Sequence, residues 1–217
     1  MARGCGTARD VVDHVSGSVG VVDPARDLAD RVLAAPPRLG VVRLVVIDGP
    51  SGAGKSHLAA RVVDVLRGRG ADPALVSTDD FATWDDPVSW WPRLSAGVLE
   101  PLAAGRPGRY RRTEWTEAGE PVAGGYVAVP VPGVLVLEGV SSGRRSVRGW
   151  VSVLCWLDHA DRATRLARAV ARDGEWSRPQ LERWQRFEAG WFAVDEPRHA
   201  ADVAYSSERS NPVVRDD

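Results

Sequence analysis

Eight consecutive residues, Gly49-Pro50-Ser51-Gly52-Ala53-Gly54-Lys55-Ser56, fit the pattern G-x-x-x-x-G-K-[ST] at every position. The chemistry of that spacing is phosphate binding. Its glycines let backbone N–H groups turn inward around phosphate oxygens, its lysine reaches the β- and γ-phosphates, and its final hydroxyl binds Mg²⁺. Lys55 is also the only lysine in the chain, against 28 Lys and Arg together. Arginine serves elsewhere as the generic positive charge, so a lysine kept here points to a task for a compact ammonium rather than a planar guanidinium fork. The expected nucleotide-binding set is Gly49, Ser51, Gly52, Ala53, Gly54, Lys55 and Ser56, with His57 next in line on the following helix.

Two acidic residues close apolar runs further along: Asp79 after Ala74 to Ser77, and Glu138 after Val134 to Leu137. Ligands of open α/β sheets bind at the carboxyl ends of the strands. Asp79, Glu138 and the glycine loop are therefore expected to converge. Asp79 is the candidate base toward an acceptor hydroxyl, and Glu138 joins Ser56 as a candidate Mg²⁺ ligand that acts directly or through a water. Arg165, Arg168 and Arg172 recur at spacings of three and four, which puts them on one helix face. Arg168 and Arg172 are the candidate clamps on a transferring phosphoryl group, with Arg178 beyond them.

Elements that would hold these residues can be read along the chain. Val41 to Asp48 is a near-continuous apolar run, as in a strand buried on both faces of a parallel sheet. The glycine loop follows at once, then a helix from Lys55 to Arg67 with Leu58, Ala59, Val62, Val63 and Leu66 on its core side. Asp23-Pro24 starts an earlier helix, since proline fits the first helical position. Further strands are expected at 74–77, 134–138, 151–157 and 203–205. Helices are expected within 87–104, at 161–173 and at about 179–192. Residues 105–125 read as polar, basic and turn-rich. Strands alternating with helices predict an α/β fold: a three-layer architecture with a five-stranded parallel sheet, helices on both faces and an arginine-bearing lid. Residues 1–22 read as a flexible extension, 23–207 as one domain with its lid at about 173–192, and 208–217 as a polar tail.

Composition limits the alternatives. A formal net charge of −1 argues against a general nucleic-acid binder. Cys5 and Cys155 offer no disulfide framework, and His14, His57, His159 and His199 lack metal-ligand spacing. No apolar run approaches the ~18 residues that span a bilayer, and the start lacks the apolar stretch of a signal peptide. The expectation is a cytoplasmic protein that meets neither membrane nor nucleic acid; a homo-oligomer stays open.

Several segments together resemble the uridine kinase-like branch of P-loop kinases, which includes phosphoribulokinase and bacterial pantothenate kinase. They are the glycine loop, Ser77-Thr78-Asp79-Asp80-Phe81, Trp84-Asp85-Asp86-Pro87, Val136-Leu137-Glu138-Gly139, the arginine helix from Thr164 to Asp173, and Ala201-Asp202-Val203. The resemblance covers about residues 41–206 in order. It implies ATP and Mg²⁺ as cofactors and a small-molecule hydroxyl as acceptor, first of all that of a nucleoside. It also implies Asp79 as base, Asp85 on the ribose hydroxyls, Tyr110 against the base, and Phe81, Trp84, Trp115, Glu138 and Arg178 around the acceptor. The segment after Tyr110 departs from the uridine kinase pattern, since the usual Tyr-Asp-Phe and following His are missing. A pantothenate-, sugar- or sugar-phosphate-like acceptor stays open, as does a regulatory switch ATPase.

Overall fold

The structure is a computed structural model that describes residues 22–116, 118–158 and 161–206, and the backbone of 209–213. The expected extension therefore lies outside the described residues, Val22 excepted. Helix α1 (Pro24–Ala34) starts where Asp23 accepts a hydrogen bond from the Ala25 amide. It buries Ala25, Leu28, Ala29 and Val32, at roughly 1.5–3 kcal/mol for each large aliphatic side chain removed from water. Strand β1 (Arg43–Asp48), the glycine loop and helix α2 (Lys55–Gly68) come next, then β2 (Pro73–Ser77).

β1 sits mid-sheet because it is buried along almost its whole length. It pairs in parallel with β5 (Val134–Glu138) on one side and β6 (Val151–Asp158) on the other. β2 extends the sheet beyond β5, and β7 (Val203–Ser206) extends it beyond β6, both in parallel. The five parallel strands run in the order β2-β5-β1-β6-β7. One apolar cluster fills each face: Val45, Ile47, Val136 and Cys155 meet α1 and α2, while Leu44, Val46, Leu135 and Leu137 meet the segment 90–102.

The helical stretch expected within 87–104 is present as one continuous run of α3 (Trp91–Leu94), a π turn (Ser95–Leu99) and α4 (Glu100–Ala103). Pro92 falls in the first turn of the run, where a missing N–H costs little, and Pro101 directly follows the π turn. The polar stretch 105–125 is mostly an antiparallel hairpin, β3 (Gly108–Trp115) with β4 (Pro121–Val129), in a sheet of its own. The tail after Ser207 contains an edge strand, β8 (Arg209–Val213), antiparallel to β7.

Helices α5 (Arg162–Asp173) and α6 (Arg178–Asp195) form the remaining layer over the carboxyl ends of the strands. Asp161 caps α5 through the amides of Ala163 and Thr164. Gly174, at φ 94°, turns the chain between the two helices. Ala169, Val170 and Leu181 form a small cluster between them, with Trp84 and Leu166 against it.

Candidate active site

The loop after β1 is shaped by residue types that permit no substitute. Gly54 caps α2 at φ 93°, in left-handed backbone that glycine adopts freely. At Gly52, with φ 76°, an added Cβ would lie 2.5 Å from the Arg165 carbonyl oxygen. Close approach of α5 to the loop thus requires glycine. The opening turn of α2 presents its free N–H groups at this loop, where they attract anions.

Lys55 is 8% exposed, and its Nζ donates to the Pro50 carbonyl at 3.0 Å. Ser56 Oγ donates to Glu138 Oε1 at 3.1 Å, and Ser77 Oγ donates to the same oxygen at 2.7 Å. Ser77 Oγ also accepts from the Asp79 amide, at 3.2 Å. That bond caps the 3₁₀ turn Thr78–Asp80. Burial pushes Glu138 above the usual carboxylate range, and the charge of Asp79 adds to the shift; Lys55, Ser77 and Ser56 pull it back.

A cavity of about 700 Å³ joins these groups. It is lined by Ser51, Gly52, Gly54, Lys55, Ser56 and His57, and by Asp79, Glu138, Arg168, Arg172 and Asp173. Thr83, Trp84, Trp115, Thr116, Gly119, Trp176 and Trp184 line it as well. Arg172 is held above its ordinary value first by its hydrogen bond to Asp173, and further by the charges of Asp79 and Glu138. The centre of the cavity therefore carries both signs of charge.

The Trp84 and Trp115 rings lie 5.1 Å apart at 59°, and Trp84 meets Trp184 edge-on at 6.5 Å. The indoles form walls at angles to one another instead of a parallel clamp. Trp84 Nε1 donates to the Gly119 carbonyl at 3.1 Å, and a Cβ at Gly119 would overlap the Trp176 ring. The tip of the β3–β4 hairpin and the turn between α5 and α6 thus meet at the cavity.

Four of the expected acceptor residues stand elsewhere. Phe81 is 1% exposed, stacked between Trp90 and Tyr110 in the core. Tyr110 is buried with it, and its hydroxyl donates to Asp80 Oδ2. A ring held on both sides by core contacts has no face left for a ligand. Asp85 is 91% exposed and pairs with Arg183 at 2.8 Å, outside the lining of the cavity. Arg178 pairs with Glu175 at the surface and does not line the cavity. Within the loop, Gly49 and the buried Ala53 support the turn without lining the cavity.

Other residues of the site were not singled out in the sequence. Asp48, fully buried under the loop, accepts from the amides of Gly49, Ser141 and Gly143 at 2.7, 3.2 and 2.9 Å. It ties the glycine loop to the turn after β5, where Ser141 is held at φ 69°. Glu188 of α6 is 2% exposed and accepts from the Ser51 amide at 3.1 Å through both oxygens, and from Ser51 Oγ.

Burial raises the carboxyls of Asp48, to about 7, and of Glu138 and Glu188. A carboxyl raised above its unfolded value of about 4 holds more protons in the folded state. Its stabilising contribution is complete below that value and is lost as pH rises through the folded value. Thermal melts without nucleotide are therefore expected to show a midpoint that falls as pH rises from about 5 to about 7. A midpoint constant or rising over that window would contradict the assignment.

No family model matches the chain, and no curated protein matches it. Solved structures do. A possible uridine kinase from Bacillus stearothermophilus is 18% identical at a TM-score of 0.59, over 84% of this chain and 97% of that one. The chain shares the fold of that structure. A protein from Silicibacter sp. TM1040, provisionally assigned as a fructose transport system kinase, is 20% identical at 0.52, over 83% and 98%. D-glycerate 3-kinase from Cryptococcus neoformans is 14% identical at 0.52, over 77% and 84%. The five parallel strands with helices around them agree with this P-loop kinase fold. Among the described residues no helix is long and apolar enough to cross a membrane.

Proposed function

We propose that the protein is an ATP- and Mg²⁺-dependent kinase that phosphorylates a hydroxyl of an uncharged small molecule, first of all a nucleoside. One observation carries the reading: one cavity is lined by the glycine loop with Lys55 and Ser56, by Asp79 and Glu138, and by Trp84, Trp115, Trp176 and Trp184.

In the proposed reaction the acceptor oxygen attacks the γ-phosphorus in line. Asp79 takes the hydroxyl proton, the bond from the γ-phosphorus to the bridging oxygen breaks, and ADP leaves. Lys55, Arg168 and Arg172 balance the charge that spreads over the phosphoryl oxygens. The Ser56 hydroxyl and the Glu138 carboxylate meet at hydrogen-bond distance, a pair of hard oxygen donors that suits Mg²⁺. When bound, Mg²⁺ neutralises charge on the β- and γ-oxygens.

The acceptor class follows from where the cations stand. Among the described residues, the basic side chains that line the cavity are Lys55, His57, Arg168 and Arg172, all from α2 and α5. The stretches 82–84, 115–116 and 176–184, with Gly119, contribute indoles, threonines and small groups to the lining. Such a wall suits the flat face of a base or the C–H face of a sugar, and these residues offer a carboxylate or phosphate no positive charge. A base would lie on one indole, since Trp84 and Trp115 stand too close and too tilted to sandwich it. An uncharged sugar fits the same wall.

The test is an ADP-release screen with nucleosides, free sugars, pantothenate, glycerate and sugar phosphates, with Lys55→Met as the blank. Uncharged acceptors are expected to stimulate the wild type alone. Stimulation by acids or phosphates only would overturn the acceptor class. Silence from every acceptor, with ATP still bound, would favour a regulatory nucleotide switch.

A further inference from the structure

Two adjacent aspartates follow β2, and one of them lines the cavity: Asp79 does, Asp80 does not. Both sit in one 3₁₀ turn, Thr78–Asp80, where successive side chains leave the axis about 120° apart. Asp80 is half-buried, and its Oδ2 accepts from the Tyr110 hydroxyl on β3. The next residue, Phe81, stacks on the same Tyr110 ring at 4.7 Å and 28°. Tyr110 therefore grips both residues that follow Asp79, one by a hydrogen bond and one by ring contact. Close backbone packing fixes where Tyr110 stands: a Cβ added at Gly108 would lie 2.7 Å from the carbonyl oxygen of Gly97 in the π turn. Burial, and then the bond to Asp80, raise the Tyr110 hydroxyl above its ordinary value, so it stays a donor at neutral pH.

A half-buried carboxylate that loses its donor must find water or another partner. Freed of Tyr110, Asp80 would turn outward, and a three-residue turn cannot move one member without the next. Asp79 would move with it. We propose that Tyr110 is a positioning residue: by holding Asp80 and Phe81 it fixes the turn so that Asp79, and not Asp80, is presented to the acceptor hydroxyl. The lock rests on the kinase reading above, in which Asp79 is the base. It gives Tyr110 a task different from the contact with a nucleobase that the family resemblance implies. Such a residue acts on the geometry of proton transfer, so its loss falls on kcat, whereas loss of an acceptor contact falls on KM.

Steady-state ADP release with uridine, or with the fastest uncharged acceptor of the screen, is measured for the wild type, Tyr110→Phe, Asp80→Leu, their double variant and Asp80→Asn. Calorimetry gives the affinity of each for the Mg²⁺ complex of a non-hydrolysable ATP analogue, and melting curves confirm folding. Tyr110→Phe keeps the ring on Phe81 and removes only the hydroxyl. It is expected to lower kcat by about 10- to 100-fold, the scale of a misplaced reacting group, with acceptor KM and analogue affinity unchanged. Asp80→Leu should match it, and the double variant should be no slower than either, because both changes remove the same bond. Asp80→Asn keeps an oxygen for the hydroxyl and should retain most of the wild-type turnover. A raised KM at unchanged kcat would overturn the lock and return Tyr110 to acceptor binding. Wild-type turnover in folded Tyr110→Phe, or additive losses in the double variant, would also overturn it. Those results leave the kinase reading in place, whereas full turnover in Asp79→Asn would remove the base assignment and the lock together.

Discussion

Asp79→Asn is expected to lower acceptor-dependent ADP release by about 10²–10⁴-fold, the range a positioned general base contributes. Asparagine keeps the shape and removes the basic oxygen. The Ser77 bond to the residue 79 amide is a backbone contact, so the turn should survive and analogue binding should change little. The loss should fall on kcat, because the proton is transferred only as the new bond forms. Steady-state ADP release with the best acceptor from the screen, alongside calorimetry with the ATP analogue, separates the two effects. Full acceptor-dependent turnover in this variant would remove Asp79 from the mechanism and leave it as part of a short 3₁₀ turn.

Lys55→Met carries the second large effect. One preorganised donor to the transferring group is worth about 10²–10³-fold in kcat, and the variant also gives up attraction for the triphosphate in binding. Lys55→Arg is the sharper comparison. The side chain is 8% exposed, and its Nζ already contacts Pro50. A planar fork does not fit where a point charge sits. Arginine is therefore expected to recover less than a tenth of wild-type turnover, a change worth more than about 1.4 kcal/mol in the barrier. If arginine restored full activity, the solitary lysine would be an accident of composition.

Local sequence was enough where one strand, loop or helix decides its own form. The apolar run into Asp48, the loop of glycines and the apolar stripe of α2 each announce their structure within a short span of chain. The order of the elements then indicates a parallel sheet. The β3–β4 hairpin was hidden because arginines at 109, 111 and 112 alternate with residues that become buried only against distant partners: Tyr110 against Phe81, Gly108 against the backbone at Gly97 and Val98. The π turn within the helical run 91–103 was hidden for the opposite reason. Its apolar spacing is helical, and the π turn changes only the hydrogen-bond ladder.

The acceptor end followed the same division. An aromatic-rich segment says only that large rings must be buried or stacked. Sequence could not tell which rings face a ligand, so Phe81 and Tyr110 went to the core while Trp176 and Trp184 came to the cavity from the other side of the chain. Glu188 left one trace in the sequence. It stands four residues after Trp184 and seven after Leu181, on the face of α6 that turns inward. A carboxylate on an inward face needs a partner, but that partner, Ser51, lies 137 residues away.

Contacts between near neighbours along the chain set the glycine loop, its flanking strand and helix, and the carboxylates at the strand ends, and for that reason the amino-acid order alone was sufficient to place them. Which aromatic rings wall the cavity, that Asp85 and Arg178 stand outside it, and that Asp48 and Glu188 brace the loop from beneath and behind emerged only from the folded chain. Those outcomes depend on burial and pairing across the sheet and between α6 and the loop, distances that no local pattern encodes.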